Sequence, residues 1–345
     1  MQPFDAGLRQ GGSGFPVTFP QQIGNEYAGV VDAIGAGVAG FAVGDEVSGW
    51  VFLAGLAEYV VVELTAAVAK PPGMPWEVAG SLPASGQSAY TALHELGVGA
   101  GQVLLVHDAA GGVGAVAVRV TRAWGARVIG TASAANHDYL RDLGAEPVTY
   151  GYGLVDRVRA LAPDGVDAVV DGAGGRALRD SIELVAESGR VVTLVDHALA
   201  EELGARGVRA QRSTQRLAEV SLREEGALRP HVRAIYPLEE AVAAHREVER
   251  GHGRGKVVVV VPDGERPARG VRGARPAPAR PGLTGRRGRR DRPPRLRAAA
   301  PTAAGPGASA RGHHDRRLGD AADRDRGSLR VQAPSDTNHS PRCAL

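Results

Sequence analysis

Two hydrophobic periods divide the chain. Over residues 1–70 the apolar positions fall in short runs broken by turn residues. Val30-Val31-Asp32-Ala33-Ile34 and Glu58-Tyr59-Val60-Val61-Val62 predict strands, and Gly35-Ala36-Gly37 and Val43-Gly44-Asp45-Glu46 supply turns. Residues 71–87 form a crossover punctuated by Pro and Gly. From about residue 88 the period lengthens and helices alternate with strands. A helix over Ala89–Leu96 leads to the strand Val103–Val106, then a Gly-rich turn and a helix over Val113–Trp124. The strand Arg127–Thr131 and a helix over Asn136–Leu143 follow, the helix closed by Gly144 as a C-cap. Further strands are Ala168–Asp171 and Arg190–Leu194; a helix near 238–250 precedes a last strand, Lys256–Val261. Such alternation predicts an α/β fold with a doubly wound parallel sheet.

Beyond Pro262 both periods stop. The rest is built from Arg, Pro, Ala and Gly and has no Phe, Tyr or Trp. Too few apolar residues stand in phase to offset the entropy of ordering, so the sequence predicts a disordered tail over 263–345.

Charge follows the same boundary. The formal net charge of +3 conceals a tail of +11, with 19 Arg against 8 acidic residues, and a body of −8. The single cysteine, Cys343, excludes a disulfide framework within one chain and a cysteine-based zinc site. No apolar run approaches the ~20 residues that cross a bilayer. The first residues lack the basic and apolar regions of a signal peptide, which fits a cytoplasmic protein with no membrane partner.

The strongest chemical signal is His107-Asp108-Ala109-Ala110-Gly111-Gly112-Val113-Gly114. It follows a predicted strand and opens a predicted helix, the context a dinucleotide fingerprint requires. Small residues let the backbone approach a pyrophosphate, and the helix N-terminus offers N–H groups and partial positive charge. An NAD site usually carries Asp or Glu about 20 residues past the glycines, bonded to the ribose 2′-hydroxyl. Here that region reads Thr131-Ala132-Ser133-Ala134-Ala135-Asn136-His137, with no carboxylate. A 2′-phosphate meets no repulsion there, Ser133 can donate to it, and the pattern favours NADP(H).

Several stretches, in this order, resemble the medium-chain dehydrogenase/reductase superfamily and its zinc-free quinone oxidoreductase branch. They are Ile23-Gly24-Asn25-Glu26-Tyr27-Ala28-Gly29-Val30-Val31, Val43-Gly44-Asp45-Glu46-Val47, Ala57-Glu58-Tyr59-Val60 and Leu82-Pro83-Ala84-Ser85-Gly86-Gln87-Ser88-Ala89-Tyr90. The glycine-rich turn, Leu143-Gly144-Ala145, Asp167–Asp171 and Gly253-Arg254-Gly255-Lys256-Val257-Val258 complete the set. The resemblance implies a GroES-like β-barrel over 1–85, a Rossmann domain over 86–230, a return to the first domain over 231–262, and a cleft between the domains. It implies that Ala110, Gly111, Gly112, Val113 and Gly114 hold the pyrophosphate and Ser133 the 2′-phosphate. Tyr150 matches a nucleotide-contacting tyrosine, Ser88 a cofactor-contacting threonine, and Lys256 a lysine before the last strand. Leu194 and Val195 are expected near the nicotinamide. Zinc-dependent relatives place His where Asn25 stands, so no metal is expected. The implied reaction is hydride transfer from NADPH to a quinone or α,β-unsaturated carbonyl, with no catalytic acid assigned and a homodimer expected by analogy. Tyr27, Trp50 and Tyr59 are candidates to line the cleft or to pack the barrel.

The sequence departs from the family in two ways. Gln2-Pro3-Phe4-Asp5-Ala6-Gly7-Leu8-Arg9-Gln10-Gly11 resembles a segment that in relatives follows several barrel strands, which predicts an N-terminally truncated barrel with unpaired edges. The tail extends past the point where relatives end. Rival readings are therefore a stand-alone enoyl reductase, an NADPH-binding relic with little turnover, and a polyanion-binding protein acting through the basic tail. The tail lacks aromatic residues to stack on bases, which counts against nucleic acid.

Overall fold

The computed structural model describes residues 1–12, 16–222, 228, 230–251, 253–261 and 327–334. All of them belong to one compact unit formed by Met1–Asp263 and Ala321–Leu345. In chain order the strands are β1 (Glu26–Ile34), β2 (Glu46–Trp50), β3 (Tyr59–Glu63), β4 (Ala67–Ala69), β5 (Val103–Val106), β6 (Arg127–Ala132), β7 (Glu146–Thr149), β8 (Ala168–Asp171), β9 (Val191–Thr193), β10 (Arg206–Gly207), β11 (Val232–Pro237), β12 (Lys256–Val260) and β13 (Ser328–Gln332). The α-helices are α1 (Pro3–Arg9), α2 (Trp76–Ala79), α3 (Pro83–Leu96), α4 (Gly112–Ala123), α5 (His137–Asp142), α6 (Leu154–Leu161), α7 (Gly175–Ile182), α8 (His197–Leu203), α9 (Thr214–Leu222) and α10 (Ala241–Glu249).

Six parallel strands form the central sheet, in the order β10-β9-β8-β5-β6-β7. Successive strands add outward on one side of β5 and then on the other, so the order reverses between β5 and β8. Ligands of open α/β sheets bind in the crevice at such a switch point. Strand alternation sorts the core into two layers. Leu104, Val106, Val128, Val170 and Val192 face α3 and α4, whereas Leu105, Ile129, Val169 and Val191 face α6, α7 and α8. Burial on both faces explains why these strands read as unbroken apolar runs.

Helix α3 begins at Pro83, six residues before the predicted start, because Pro at its first position needs no N–H partner. It ends at Gly97, whose φ of +58 permits the left-handed cap and a bond to the Leu93 carbonyl at 3.0 Å.

The second sheet corrects one expectation. Its order is β3-β13-β1-β2-β4, an open sheet ending in β3 and β4. The edges of β1 and β3 that face one another are joined by Ser328–Gln332, which lies antiparallel between them. These residues fall within the stretch for which disorder is predicted, and they form a strand because Leu329 and Val331 alternate with polar neighbours. Both side chains are buried beside Tyr27, Val31, Val47, Val60 and Val62. Arg330 points outward, paired with Asp32 and 5.6 Å from the Tyr59 ring. A Cβ on Gly29 would sit 2.8 Å from Val331 Cγ1, so the close approach of β13 requires glycine there. The other expectations for 262–326 and 335–345, including polyanion binding and Cys343, lie outside the described residues.

Strands β11 and β12 pair in parallel, and β12 packs with α1 and α10 through Met1, Ala6, Ala244, Val248, Val257 and Val259. Among the described residues no helix is long and apolar enough to cross a membrane.

Candidate functional site

The turn between β5 and α4 is packed so closely that its glycines have no room for a Cβ. The Ala109 N–H donates to the Thr131 carbonyl on β6 at 3.0 Å, and the Gly111 N–H donates to the Asp108 carbonyl at 2.9 Å. A Cβ on Gly114 would lie 2.7 Å from Ala109 Cα, a backbone atom that cannot yield. On β6, a Cβ on Gly130 would lie 2.8 Å from both Ala109 Cβ and Leu140 Cδ2. Helix α4 then starts at Gly112, and the N–H groups of its first turn have no carbonyl within the helix to accept them. Backbone donors and a helix dipole therefore meet at the switch point, an arrangement that receives phosphate oxygens.

Asp108 holds the turn in the left-handed region, with φ of +53, and its carboxyl leans over Gly111. The residue is exposed at the turn. Crowding of the carboxyl by protein raises its pKa, Arg233 opposes the shift and Asp171 adds to it.

Behind the turn lies a buried polar network. His107 Nε2 is 2.9 Å from Ser181 Oγ and His107 Nδ1 is 3.2 Å from Thr131 Oγ1. Ser181 Oγ donates to the Ala177 carbonyl, so it accepts from Nε2–H, and Nδ1 accepts from Thr131. Burial lowers the His107 pKa, against the opposing charges of Asp171 and Asp180, and keeps the ring neutral. Asp171 accepts from the N–H groups of Ala173 and Gly174 at 3.0 Å and from Thr193 Oγ1 at 2.6 Å, which fixes the exits of β8 and β9.

The residues singled out by sequence fall into two groups. Ala110–Gly114, Ser133, Tyr150, Leu194 and Val195 all follow the C-terminal ends of parallel strands, at β5, β6, β7 and β9, and so share one edge of the sheet. Ser133 Oγ accepts from Asn136 Nδ2 at 3.2 Å. Tyr150 and Val195 are 42% and 53% exposed along that edge. Ser88 and Lys256 stand apart. The Ser88 hydroxyl donates to the Ala84 carbonyl within α3 at 2.9 Å. Lys256 is buried, and its ammonium pairs with Glu26. Its stem crosses the start of α4, where a Cβ on Gly112 would lie 2.7 Å from Lys256 Cδ. Next to it the Gly255 N–H donates to the Ala110 carbonyl at 2.8 Å, so the entry to β12 covers one side of the turn.

Around Glu26 the second sheet contributes a further polar cluster. Glu26 accepts from Gln2 Nε2 and from the Ala84 N–H, each at 2.9 Å, besides Lys256. Burial alone would raise its pKa, but Lys256 and the Met1 amino group outweigh that and hold it below the usual carboxylate range. Asn25 is buried and donates through Nδ2 to Asp5 Oδ1 at 3.1 Å. The Arg212 guanidinium donates to the Asn25 carbonyl at 3.0 Å and lies 5.6 Å from the Trp50 ring. Burial lowers its pKa, and Glu26 and Asp5 oppose that. Tyr27 is core, with its hydroxyl 3.2 Å from the Ala66 carbonyl, whereas Tyr59 lies at the rim. Neither Asp5 nor Arg212 had a spacing signal, because each is brought to Asn25 by chain crossings of 20 and 187 residues. Among the described residues no group of three or more His, Cys, Asp or Glu is placed to hold a metal ion.

Residues 1–98 match the alcohol dehydrogenase GroES-like domain, and residues 143–259 match the zinc-binding dehydrogenase family. The quinone oxidoreductase of Coxiella burnetii superposes with a TM-score of 0.68 and 33% identity, over 75% of this chain and 86% of that one. The chain belongs to the medium-chain dehydrogenase/reductase superfamily. Its GroES-like sheet and Rossmann sheet are those of the superfamily, and its quinone oxidoreductase relatives are consistent with the zinc-free branch that the sequence resembles. Quinone oxidoreductase from Sus scrofa is 27% identical over 76% of this chain and 86% of its own length. The pikromycin polyketide synthase component PikAII of Streptomyces venezuelae is 36% identical over 72% of this chain. The chain spans only 5–13% of the length of five polyketide synthases that it matches. Two further members of the superfamily resemble it at a TM-score of 0.66 and 26% identity. They are the CurK enoyl reductase, over 76% of this chain and 88% of that one, and mycobacterial Rv1454c complexed with NADPH, over 75% and 88%.

Proposed function

We propose that this protein is an NADPH-dependent oxidoreductase that reduces a quinone or an α,β-unsaturated carbonyl without zinc. The observation that carries the reading is the close-packed glycine turn, with Gly111, Gly112 and Gly114 leaving no room for a Cβ, set between β5 and α4 at the switch point of the parallel sheet. Its glycines fit a pyrophosphate. When bound, NADPH supplies the hydride, delivered to the electron-poor β-carbon of the acceptor.

The chain's own residues bind and orient. The first-turn amides of α4 face the pyrophosphate, and the Gly255 bond to Ala110 with the Lys256 stem shields one side. The exit of β6 favours NADPH over NADH, because Ser133 stands there and the next acid along the chain, Asp138, is paired with Arg141 at 2.6 Å. The NADPH complex of the similar mycobacterial protein supports the same choice. Asn25, with its amide committed to Asp5, replaces the histidine of zinc-dependent relatives and is a poor zinc ligand.

A second enzymatic reading, enoyl reduction, is favoured by the likeness to polyketide synthases and to the CurK enoyl reductase. One assay separates the two. The full chain is given NADPH with a panel of quinones and of enoyl thioesters, and loss of the nicotinamide absorbance is followed. Faster turnover of quinones supports the first reading and faster turnover of enoyl thioesters the second. Turnover of neither, with NADPH bound, overturns both and leaves a cofactor-binding protein without this activity.

A further inference from the structure

The segment between β10 and α9 leaves the parallel sheet on the same edge as the cradle, beside the exit of β9. The Val208 N–H donates to the Thr193 carbonyl at 2.9 Å, next to Leu194 and Val195. The segment is then fastened to α3 on either side of Arg212. The Gln211 N–H donates to Thr91 Oγ1 at 3.2 Å, and the Ser213 N–H donates to Gln87 Oε1 at 2.9 Å. These anchors hold Arg212 against the start of β1, where its Nη1 donates to the Asn25 carbonyl at 3.0 Å.

That cation has no anionic partner. Asp5 and Glu26 attract it, but among the described residues it forms no ion pair. Their oxygens are already engaged. Asp5 accepts from the N–H groups of Gln2 and Gly24 and from Asn25 Nδ2. Glu26 accepts from Gln2, the Ala84 N–H and Lys256. Asp5, Asn25 and Glu26 are buried, whereas Arg212 is half-buried, so its guanidinium is the part of this cluster that a ligand reaches. The Trp50 ring, 5.6 Å from it, carries a second donor, an Nε1–H that is buried and has no partner among the described residues. A partly desolvated guanidinium with donors to spare favours an oxygen that gains negative charge.

We propose that Arg212 is a catalytic residue that receives the carbonyl oxygen of the quinone or enone and stabilises the oxyanion formed there during reduction. This rests on the oxidoreductase reading above. As hydride from NADPH bonds to the β-carbon, the C=C pair shifts to join the α-carbon to the carbonyl carbon. The C=O pair settles on oxygen, and the cofactor is left as NADP+. Arg212 stays protonated and donates to that oxygen, and water supplies the proton that completes the α-carbon.

The test uses the full chain with saturating NADP+ and 4-nitrophenol as the probe. Its phenolate carries the charge of an enolate oxygen and is read by its visible absorbance. Arg212→Met, which keeps the bulk, and Arg212→Lys, which keeps the charge, are compared with the natural protein. Phenolate affinity is expected to be about tenfold or more weaker in Arg212→Met and partly retained in Arg212→Lys. Affinity for the neutral phenol at acid pH and for NADPH, the latter by cofactor fluorescence, should not change. Enone or quinone turnover should fall about a hundredfold in Arg212→Met. Phenolate binding that is absent or equal in all three proteins overturns the oxyanion role and leaves the cofactor reading standing. So does an equal loss of phenolate, phenol and NADPH binding in Arg212→Met, which would mark a structural residue. No NADPH binding by the folded natural protein overturns the cofactor reading, and the assignment of Arg212 falls with it.

Discussion

The ammonium of Lys256 and the carboxylate of Glu26 form a buried ion pair that ties β12 to β1 across 230 residues of chain. Burying both charges is costly, and the pair is tolerable because Gln2 and the Ala84 N–H saturate the remaining carboxylate positions. Breaking it from one side strands the other charge. Lys256→Met is expected to lower unfolding free energy by about 3–5 kcal/mol in urea denaturation. Combining it with Glu26→Gln should recover part of the loss, because no isolated charge remains. A single variant as stable as the natural protein would contradict this account of the pair.

Strand β13 makes Ser328–Gln332 part of the second sheet. Leu329 and Val331 lose their core contacts if shortened, so Leu329→Ala should cost about 2–5 kcal/mol. Arg330→Ala removes a surface pair with Asp32, whose two side chains are 43% and 28% exposed, and a contact with the Tyr59 ring, and should cost about 1 kcal/mol or less. Thermal denaturation of the two variants checks the ranking, and equal effects would argue that β13 does not bury its apolar face.

The parallel sheet was legible because its strands are short apolar runs buried on both faces, with turn residues between them. Val103–Val106 and Ala168–Asp171 match their predicted bounds. Strands β2 and β4 and helix α1 escaped notice because they are short and their burial comes from pairing rather than from their own period. Leu329 and Val331 do alternate, but two apolar positions among Arg, Asp and Gly carry too little signal against the composition around them. At the site, the glycine turn could be read because its chemistry is local. The meeting of Asp108 with Asp171, or of Arg212 with Asn25, depends on tertiary neighbours that no spacing encodes.

The glycines of the cradle differ in what surrounds them, which orders their substitutions. A methyl on Gly114 meets fixed backbone, whereas a methyl on Gly112 meets the flexible Lys256 stem. Gly114→Ala should weaken NADPH binding by more than about tenfold and also lower stability, by the close approach that this position needs. Gly112→Ala should have the smaller effect on both. Titration of each variant by cofactor fluorescence, beside its melting curve, decides; the reverse order would count against the geometry described.

Acid should loosen the switch-point network. The His107 pKa is depressed in the fold, so the unfolded chain takes up that proton more readily than the folded one. The stability from the neutral ring is present above the ordinary histidine value of 6.5 and is lost as pH falls below it. His107→Gln, which can still donate and accept a hydrogen bond, should show a shallower decline in stability between pH 7 and 5. Equal slopes for the two proteins would show that His107 is not the group responsible.

Titration of NADPH and NADH into the purified full chain at pH 7 tests the central claim most directly. The account predicts saturable binding of NADPH, followed by cofactor fluorescence, and weaker binding of NADH, because the exit of β6 offers Ser133 and no carboxylate. A folded protein that binds neither nucleotide would contradict the cradle as a dinucleotide site, and with it the proposed oxidoreductase.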